Sequence, residues 1–360
     1  MDNKNVRRGQ FDLNLRETEI LRSVLKAHVL SGEPVGSRTV SKGLRMDLSP
    51  ATIRSIMSDL EDRGLLCQPH TSAGRVPTEG AYRFYVDRLM RPPRLQRSRV
   101  EIIDAALHDH QGEITDLLEE ASRQLSRFSG NVGIVLAPEL NRIVVEKMEF
   151  VRVAAGRVVA ILVGRSGVVH NRLLELGGGW SQADLDQMGA YLSEQFSGCT
   201  LPEMHHEVQR RLREDRASLD RLKRKSMQLG EKAVEGGEGS GAIFVDGTSN
   251  LLDSPEFADV RKMKSLFKAL DEKKRLVDLL GNVLDGEGVQ VTIGRENNLA
   301  DLKDCALVAS PYQSGNRAVG TVGIVGPTRM EYVQVIALVD HLARVLTRFL
   351  SGDEPEAAST

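Results

Sequence analysis

The sequence predicts a protein of mixed α+β class with several domains, and three observations lead to this class. Apolar residues recur with helical spacing near both ends of the chain, whereas valine- and isoleucine-rich runs of strand length lie between them. The strands follow one another without a regular alternation with helices. A length of 360 residues fits two or three domains of about 150 residues each.

Two helices are expected first. From Glu17 onward the apolar residues recur every three or four positions, as they do on one side of a helix, and Ser31-Gly32 ends this helix. Ser37 is the expected N-cap of a second, short helix in which Val40 and Leu44 point inward.

A third helix is predicted over residues 50–63. Ser49 fits its N-cap, and Pro50 fits its first position, where the missing proline N–H costs nothing. Its buried side is expected at Ile53, Ile56, Met57 and Leu60. A short strand at 65–67, a turn-rich stretch at 69–78 and a helix at 79–90 come next. This order predicts a winged helix-turn-helix, whose third helix enters the major groove of DNA.

The rest of the chain begins after a boundary at Pro92-Pro93. An amphipathic helix or helix pair is expected over residues 97–129, and a terminal helix at 329–350 carries an apolar seam at 335–349. The apolar stripe of the 97–129 helices and the seam at 335–349 each fit either a dimer contact or an intramolecular core. A Gly-rich linker is expected at 236–241. Strands are expected at 132–137, 143–153, 157–176, 242–245, 289–294, 306–310 and 321–326, and further helices at 181–196, 202–229 and within 255–284.

Charge is unevenly distributed along the chain. Residues 1–100 hold 18 Lys and Arg against 11 Asp and Glu, although the whole chain has a net charge of −2. A basic end on an acidic body fits a domain that meets a polyanion, and it also fits an ordinary solvated surface. The three cysteines are widely separated, which predicts neither a disulfide framework nor a zinc site and fits the reducing cytoplasm. No apolar run reaches the length of about 18 residues that a membrane span needs.

The side chains on the outward side of the third helix are mostly small and polar, which lets the helix come close to the bases. Arg54 is the first candidate for a base contact, bidentate to a guanine, with a phosphate clamp or a surface salt bridge as the alternative. Residues 70–75 are the candidate wing tip, whose alternative is a plain hairpin loop. The candidate DNA-contacting residues are Ser37, Arg38, Thr39, Ser49, Ala51, Thr52, Arg54, Ser55, Ser58, His70, Thr71, Ser72, Gly74 and Arg75.

Several of these segments closely resemble the heat-inducible transcription repressor family HrcA. The resemblance covers nearly the whole chain, and the segment at 69–78 is its most specific part. The matching runs are SPATIR at 49–54, PHTSAGRVPT at 69–78, IGREN at 293–297 and GTVGIVGPTRM at 320–330.

The resemblance implies a homodimer that binds an inverted-repeat operator upstream of chaperone operons and blocks transcription. It implies activity that depends on the GroEL chaperonin, for which heat-damaged proteins compete. It also implies a GAF-like α/β domain with an inserted, mainly helical dimerising segment. The expected domains are a winged helix DNA-binding domain at 1–90, the GAF-like domain at 91–200 and 256–352, the inserted segment at 201–255 and a disordered tail at 353–360.

Two other functions are alternatives to this one. An enzyme is disfavoured because the Gly-rich run lacks the Lys-Ser/Thr of a phosphate loop and His205-His206 lacks metal-ligand spacing, so neither a catalytic nor a metal site nor a cofactor is expected. A repressor that senses a metabolite in the GAF-like domain remains the alternative. In that case Glu296, Asn297 and Arg329 would line a pocket; otherwise they cap strands and helices.

Overall fold

The computed structural model of the chain describes residues 12–44, 46, 48–71, 73–90, 94–109, 114–138, 142–165, 167–176, 180–214, 221–234, 242–297 and 299–351. Helices and antiparallel sheets both occur among them, so the predicted α+β class is confirmed. The expected Gly-rich linker and disordered tail lie outside the described residues.

The N-terminal module, residues 12–90, contains three helices, a two-stranded hairpin and a fourth helix. A π-helical turn over Tyr85–Leu89 extends that fourth helix. The elements are α1 (Leu15–Ser31), α2 (Ser37–Gly43), α3 (Pro50–Asp62), β1 (Leu66–Cys67), β2 (Val76–Pro77) and α4 (Glu79–Phe84).

Local capping chemistry sets the starts of these helices. The Ser49 hydroxyl accepts a hydrogen bond from the Thr52 N–H at 3.1 Å, and Pro50 is the first residue of α3, as predicted. The prediction for α2 was wrong by one residue, because Gly36 is its N-cap and Ser37 its first residue. Val35 forms a β-bridge immediately before Gly36, so the chain turns into the helix one residue early.

The second part of the chain, from residue 97 to residue 351, contains eight strands and eight α-helices among the described residues. In chain order they are α5 (Arg97–His108), α6 (Ile114–Ser129), β3 (Val132–Leu136), β4 (Val145–Ala154), β5 (Arg157–Gly164), β6 (Val169–Glu175), α7 (Gln182–Phe196), α8 (Leu201–Glu214), α9 (Arg221–Val234), β7 (Ile243–Asp246), α10 (Val260–Asp271), α11 (Lys273–Leu284), β8 (Gln290–Ile293), β9 (Cys305–Ser314), β10 (Arg317–Pro327) and α12 (Tyr332–Ser351).

Five of these strands form a central antiparallel sheet in the order β7-β3-β10-β9-β8. Side chains alternate between its two faces, as strand geometry requires. Val135 of β3 joins the core under α6 and α12, whereas Ile134 and Leu136 join a second core under α10 and α11. The sheet is therefore covered by helices on both faces.

A separate unit comprises β4–β6 and α7–α9. Its three strands form their own antiparallel sheet, and its core contains Met148, Phe150, Leu185 and Met227 but no residue of the central sheet. The structure therefore differs from the expected inserted segment at 201–255, because the unit defined by its core already includes β4 and holds a sheet as well as helices. The predicted boundary between residues 200 and 201 lies between α7 and α8, which share one core with the three strands.

Both apolar stripes that were weighed as dimer contacts are buried within the chain. Ile103 and Leu125 of the first stripe and Val339 and Leu342 of the second belong to the same core. This core also includes the apolar sides of α1 and α3, so the N-terminal module and one face of the central sheet share a continuous interior. The intramolecular interpretation of both stripes is confirmed.

His28 lies in this shared interior, where its Nδ1 is 2.9 Å from the hydroxyl oxygen of Tyr82. Burial lowers the pKa of His28 below its ordinary value of 6.5, and the positive charge of Arg329 lowers it further. Burial also raises the pKa of the Tyr82 hydroxyl. Both groups are therefore neutral in the folded chain near pH 7.

Acid should destabilise the chain partly through His28. Because its folded pKa is depressed, the unfolded chain binds the proton first, and the free energy of unfolding falls as the pH drops below about 6.5. We expect His28→Gln to weaken this pH dependence. Urea unfolding between pH 7.5 and 5 checks this, with the wild-type chain measured in parallel to account for the other groups. Equal pH slopes for the two chains would contradict it.

Candidate nucleic-acid interface

The outward side of α3 is open to solvent along its length. Five predicted positions on it are all exposed, namely Ala51, Thr52, Arg54, Ser55 and Ser58. On the opposite side Ile53, Met57 and Leu60 are each at most 3% exposed. The core therefore holds the helix by one side only, and the other side presents small side chains, hydroxyls and one guanidinium group.

The first turns of α2 and α3 carry no acidic residue. At the start of α3 the Ser49 side chain satisfies one backbone N–H and leaves the helix end positive, which favours anions such as phosphate. Arg38 and Thr39 of α2 are exposed, and Ser37 is half-buried. These three candidate residues form the first turn of α2, where an anion such as phosphate is favoured.

The hairpin after α3 is short and held by side-chain bonds. Leu66 pairs with Pro77 and Cys67 with Val76. The Gln68 amide donates to the carbonyl oxygens of Thr71 and Ala73, each at 3.0 Å, so it braces the loop from inside. His70 and Thr71 are exposed on this loop. Ser72, a further candidate, lies outside the described residues.

Gly74 holds the loop against the start of α2. Val35 and Arg75 exchange two backbone hydrogen bonds of 2.9 Å, and a Cβ atom at Gly74 would lie 2.5 Å from the Val35 carbonyl carbon. Gly74 is a candidate DNA-contacting residue of the wing tip, where a small residue would let the backbone approach phosphates. The structure supplies a different need for glycine, which is close packing inside the module.

Arg75 is turned toward the protein. Its Nε lies 2.7 Å from a carboxylate oxygen of Glu61 at the end of α3, as an ion pair without aligned hydrogen-bond geometry, and its side chain is only 17% exposed. This ion pair joins the hairpin to α3. A contact of the Arg75 Nε with DNA would first have to open this pair. Sequence inspection missed the pair because 14 residues separate its members.

The residues considered for a metabolite pocket all have partners within the chain. The Asn297 side-chain amide donates to the carbonyl oxygens of Gly294, Leu302 and Cys305. Glu296 pairs with Arg83, and Arg329 pairs with Glu256 and borders a cavity of about 260 Å³. Asn297 thus acts as a cap, as the structural alternative predicted. A larger cavity of about 500 Å³ adjoins the one at Arg329, between α1, the π-helical turn and residues 330–334, and both cavities are lined by Val29 and Met330.

The described ranges contain neither a candidate metal-ion cluster nor a helix that could span a membrane. No group of three or more His, Cys, Asp or Glu side chains there could hold a metal ion. No helix in the same ranges is long and apolar enough to cross a membrane.

Comparison with known proteins identifies the family. The family model described as the HrcA protein C-terminal domain matches residues 115–336. A curated relative from Geobacter sulfurreducens is 39% identical, with 95% of this chain and 99% of the relative covered. This chain belongs to the HrcA family.

Other HrcA proteins are similar over nearly their full length. Those of Syntrophobacter fumaroxidans and Bradyrhizobium diazoefficiens are 36% and 38% identical, with 96% of this chain covered in each case and 99% and 97% of the relative. All three relatives are named heat-inducible transcription repressor HrcA. The resemblance seen in the sequence is thereby confirmed.

A solved structure shares the fold. It is described as a hypothetical protein at 2.2 Å resolution, is 20% identical, and superposes with a TM-score of 0.61 over 95% of this chain and 100% of its own.

Replacing Gly74 by Ala should destabilise the N-terminal module. The added methyl group meets the Val35 backbone, which cannot move without breaking its bridge to Arg75, and we expect a loss of about 1–3 kcal/mol in the free energy of unfolding. Chemical denaturation measures this loss.

Gly80→Ala is the matched control for this change. A Cβ atom at Gly80 meets only ordinary contacts of 3.5 Å or more, and the residue lies in α4, where Ala is the better helix former. It should leave stability equal or higher. If Gly74→Ala behaved like this control, close packing at Gly74 would be refuted.

Proposed function

We propose that this chain represses transcription of heat-shock chaperone operons by binding an inverted-repeat DNA operator as a homodimer in the cytoplasm. The N-terminal module acts as a winged helix-turn-helix, and the GroEL chaperonin modulates its activity. The central sheet with its helices is the GAF-like domain of the family. One observation carries the DNA-binding part, which is the exposed, small and polar side of α3 next to the hairpin.

Short side chains on the outward side of a helix let its backbone come close to the base edges in the major groove. Ala51, Ser55 and Ser58 have such side chains. The Arg54 side chain is longer, and its guanidinium group can donate hydrogen bonds to the O6 and N7 atoms of guanine. The exposed loop residues His70 and Thr71 then lie beside the sugar–phosphate backbone, where hydroxyl groups and backbone N–H groups make positioning contacts.

A homodimer follows from the operator geometry. One winged helix reads a half-site, so an inverted repeat needs two modules related by a two-fold axis. The buried helix stripes do not supply a surface for this axis. We assign it to the outer face of the β4–β6 sheet.

That outer face carries a group of branched aliphatic residues, and Glu149 and Asn171, which both pair with Ile161, lie among them. Val151 pairs with Val159, Val159 pairs with Leu173, and Val163 pairs with Val169 across the strands. Leu173 is 52% exposed and Val169 57% exposed. Contiguous exposed aliphatic residues mark interaction sites. A second copy offers the same branched side chains, so the face is complementary to itself, as a two-fold contact requires.

The same surface gives the chaperonin a physical role. A monomer exposes these aliphatic residues until it meets its partner, and exposed apolar surface favours binding by other proteins. Chaperonin that holds and releases such monomers would raise the fraction that reaches the dimer. Heat-damaged proteins that occupy the chaperonin would lower that fraction.

Arg54→Ala should weaken operator binding by about 1–3 kcal/mol and relax the base preference at one position of each half-site. Footprinting on a chaperonin-operon promoter at fixed salt, with and without added chaperonin, measures this. Added chaperonin should increase the bound fraction of both proteins without changing the ratio of their affinities.

Arg97→Ala is the control for loss of one positive charge. Arg97 pairs with Glu101 on the surface of α5, with its side chain 91% exposed, and lies outside the N-terminal module. It should bind the operator like the wild-type chain. Equal affinities for Arg54→Ala and Arg97→Ala would remove α3 from the DNA interface. A metabolite that released the DNA while chaperonin had no effect would favour the alternative function.

Leu173→Asp should convert the dimer to a monomer. The carboxylate places a charge at a contact that two copies share, yet the residue is exposed in one chain, so the fold should persist. Sedimentation equilibrium measures the change, and Val260→Asp, at a residue 78% exposed on α10, is the matched control. A Leu173→Asp chain that stayed dimeric would exclude this face.

A further inference from the structure

Arg83 joins the N-terminal module to the central domain. It lies on α4, and its Nε donates to Glu296 at 2.8 Å while its Nη2 donates to the same carboxylate and to the Val291 carbonyl oxygen. Burial alone would lower the pKa of Arg83, but the hydrogen bonds and charges of Glu296 and Asp87 raise it overall. The guanidinium group therefore stays charged in this contact.

The carboxylate at the other end of this contact is itself fixed. Glu296 accepts the backbone N–H of Ile293 at 2.8 Å, and the Arg295 N–H points to Glu79 of α4 at 3.3 Å. Gly294 has a positive φ of 57°, and a Cβ atom there would lie 2.3 Å from the Glu79 carboxyl carbon. The backbone of residues 293–296 therefore packs directly on α4.

A second attachment lies at the other end of the module. Arg329, which follows β10, donates to the carbonyl oxygen of Val29 in the last turn of α1 at 2.8 Å. Its guanidinium group also pairs with Glu256 and lies against Gly32. Between the two attachments the rings of Tyr82 and Tyr332 are packed 5.9 Å apart, and both are buried.

We propose that this junction sets the spacing between the two half-sites that the dimer accepts, with Arg83 and Arg329 as its positioning residues. The inference rests on the proposed function, since it concerns the operator of a dimeric repressor. Neither residue needs to touch DNA. Each acts by fixing the direction of α3 relative to the central domain.

The physical reason is the number and placement of the attachments. The apolar interior that the module shares with the central sheet holds the two together without fixing a direction, whereas the attachments on α1 and on α4 limit rotation of the module. When two binding modules are joined rigidly, the second binds efficiently only if the separation of the sites matches the separation of the modules. A loose junction tolerates several separations and binds each of them less selectively.

The experiment compares operators whose half-sites are moved together or apart by one, two or three base pairs. We expect the wild-type chain to prefer one spacing by about tenfold or more over its neighbours, and Arg83→Ala to reduce that preference about fivefold or more. Binding of both proteins to DNA with a single half-site should be equal, because the reading surface of α3 is unchanged.

Exchange of the two charges provides the second variant. Arg83→Glu combined with Glu296→Arg restores an ion pair across the junction, so it should recover part of the spacing preference that Arg83→Ala loses. If Arg83→Ala unfolds, Glu296→Gln loosens the same contact by removing the charge while keeping the shape. Arg97→Ala, whose ion pair lies within α5, should keep the wild-type preference.

The possible outcomes distinguish a failure of the proposed function from a failure of the junction inference. If the wild-type chain binds neither the operator nor the half-site, the proposed function fails. If it binds both and every junction variant keeps the wild-type spacing preference, the junction inference is overturned and the DNA-binding proposal stands.

Discussion

The shared apolar interior between the N-terminal module and the central sheet is the constraint on which the rest of the structure depends. The inward side of α1 packs in the same core as α12 and one face of the sheet. Burial of branched and aromatic side chains stabilises each of these elements by an area-dependent free energy, and none of them can leave without exposing that area to water. The position of α3 is a consequence, since α3 is packed on α1.

Within the N-terminal module, some polar residues bond to the protein itself, whereas others are exposed to solvent. The hairpin is tied to α2 through the Val35–Arg75 bridge and to α3 through Glu61, while the Gln68 amide braces its loop. These polar residues thus hold the backbone of the hairpin in place. Among the candidate DNA-contacting residues, the exposed ones are Arg38, Thr39, Ser49, the five positions on α3 including Arg54, and the loop residues His70 and Thr71. A polar surface of this kind suits a partner that is itself polar.

The elements that sequence patterns predicted well were those whose signals are local. The N-cap at Ser49 and the buried side of α3 depend on residues within one or two turns, and helical periodicity records them directly. The unit of β4–β6 and α7–α9 was divided wrongly, because strand β5 has apolar residues on both sides and gives no indication of which core it joins. The roles of Arg75, Arg83 and Arg329 were missed since their partners are distant in sequence, 213 residues in the case of Glu296.

The sequence by itself determined the family, the α+β class, the three N-terminal helices and the exposed side of α3. These follow from periodicity, capping residues and recognisable motifs, all of which act over short stretches of chain. Tertiary structure alone decided which cores the strands join, which charged residues pair, and how the N-terminal module is attached to the central sheet. Packing and ion pairing act through space, so residues far apart in the chain meet only once the fold has brought them together.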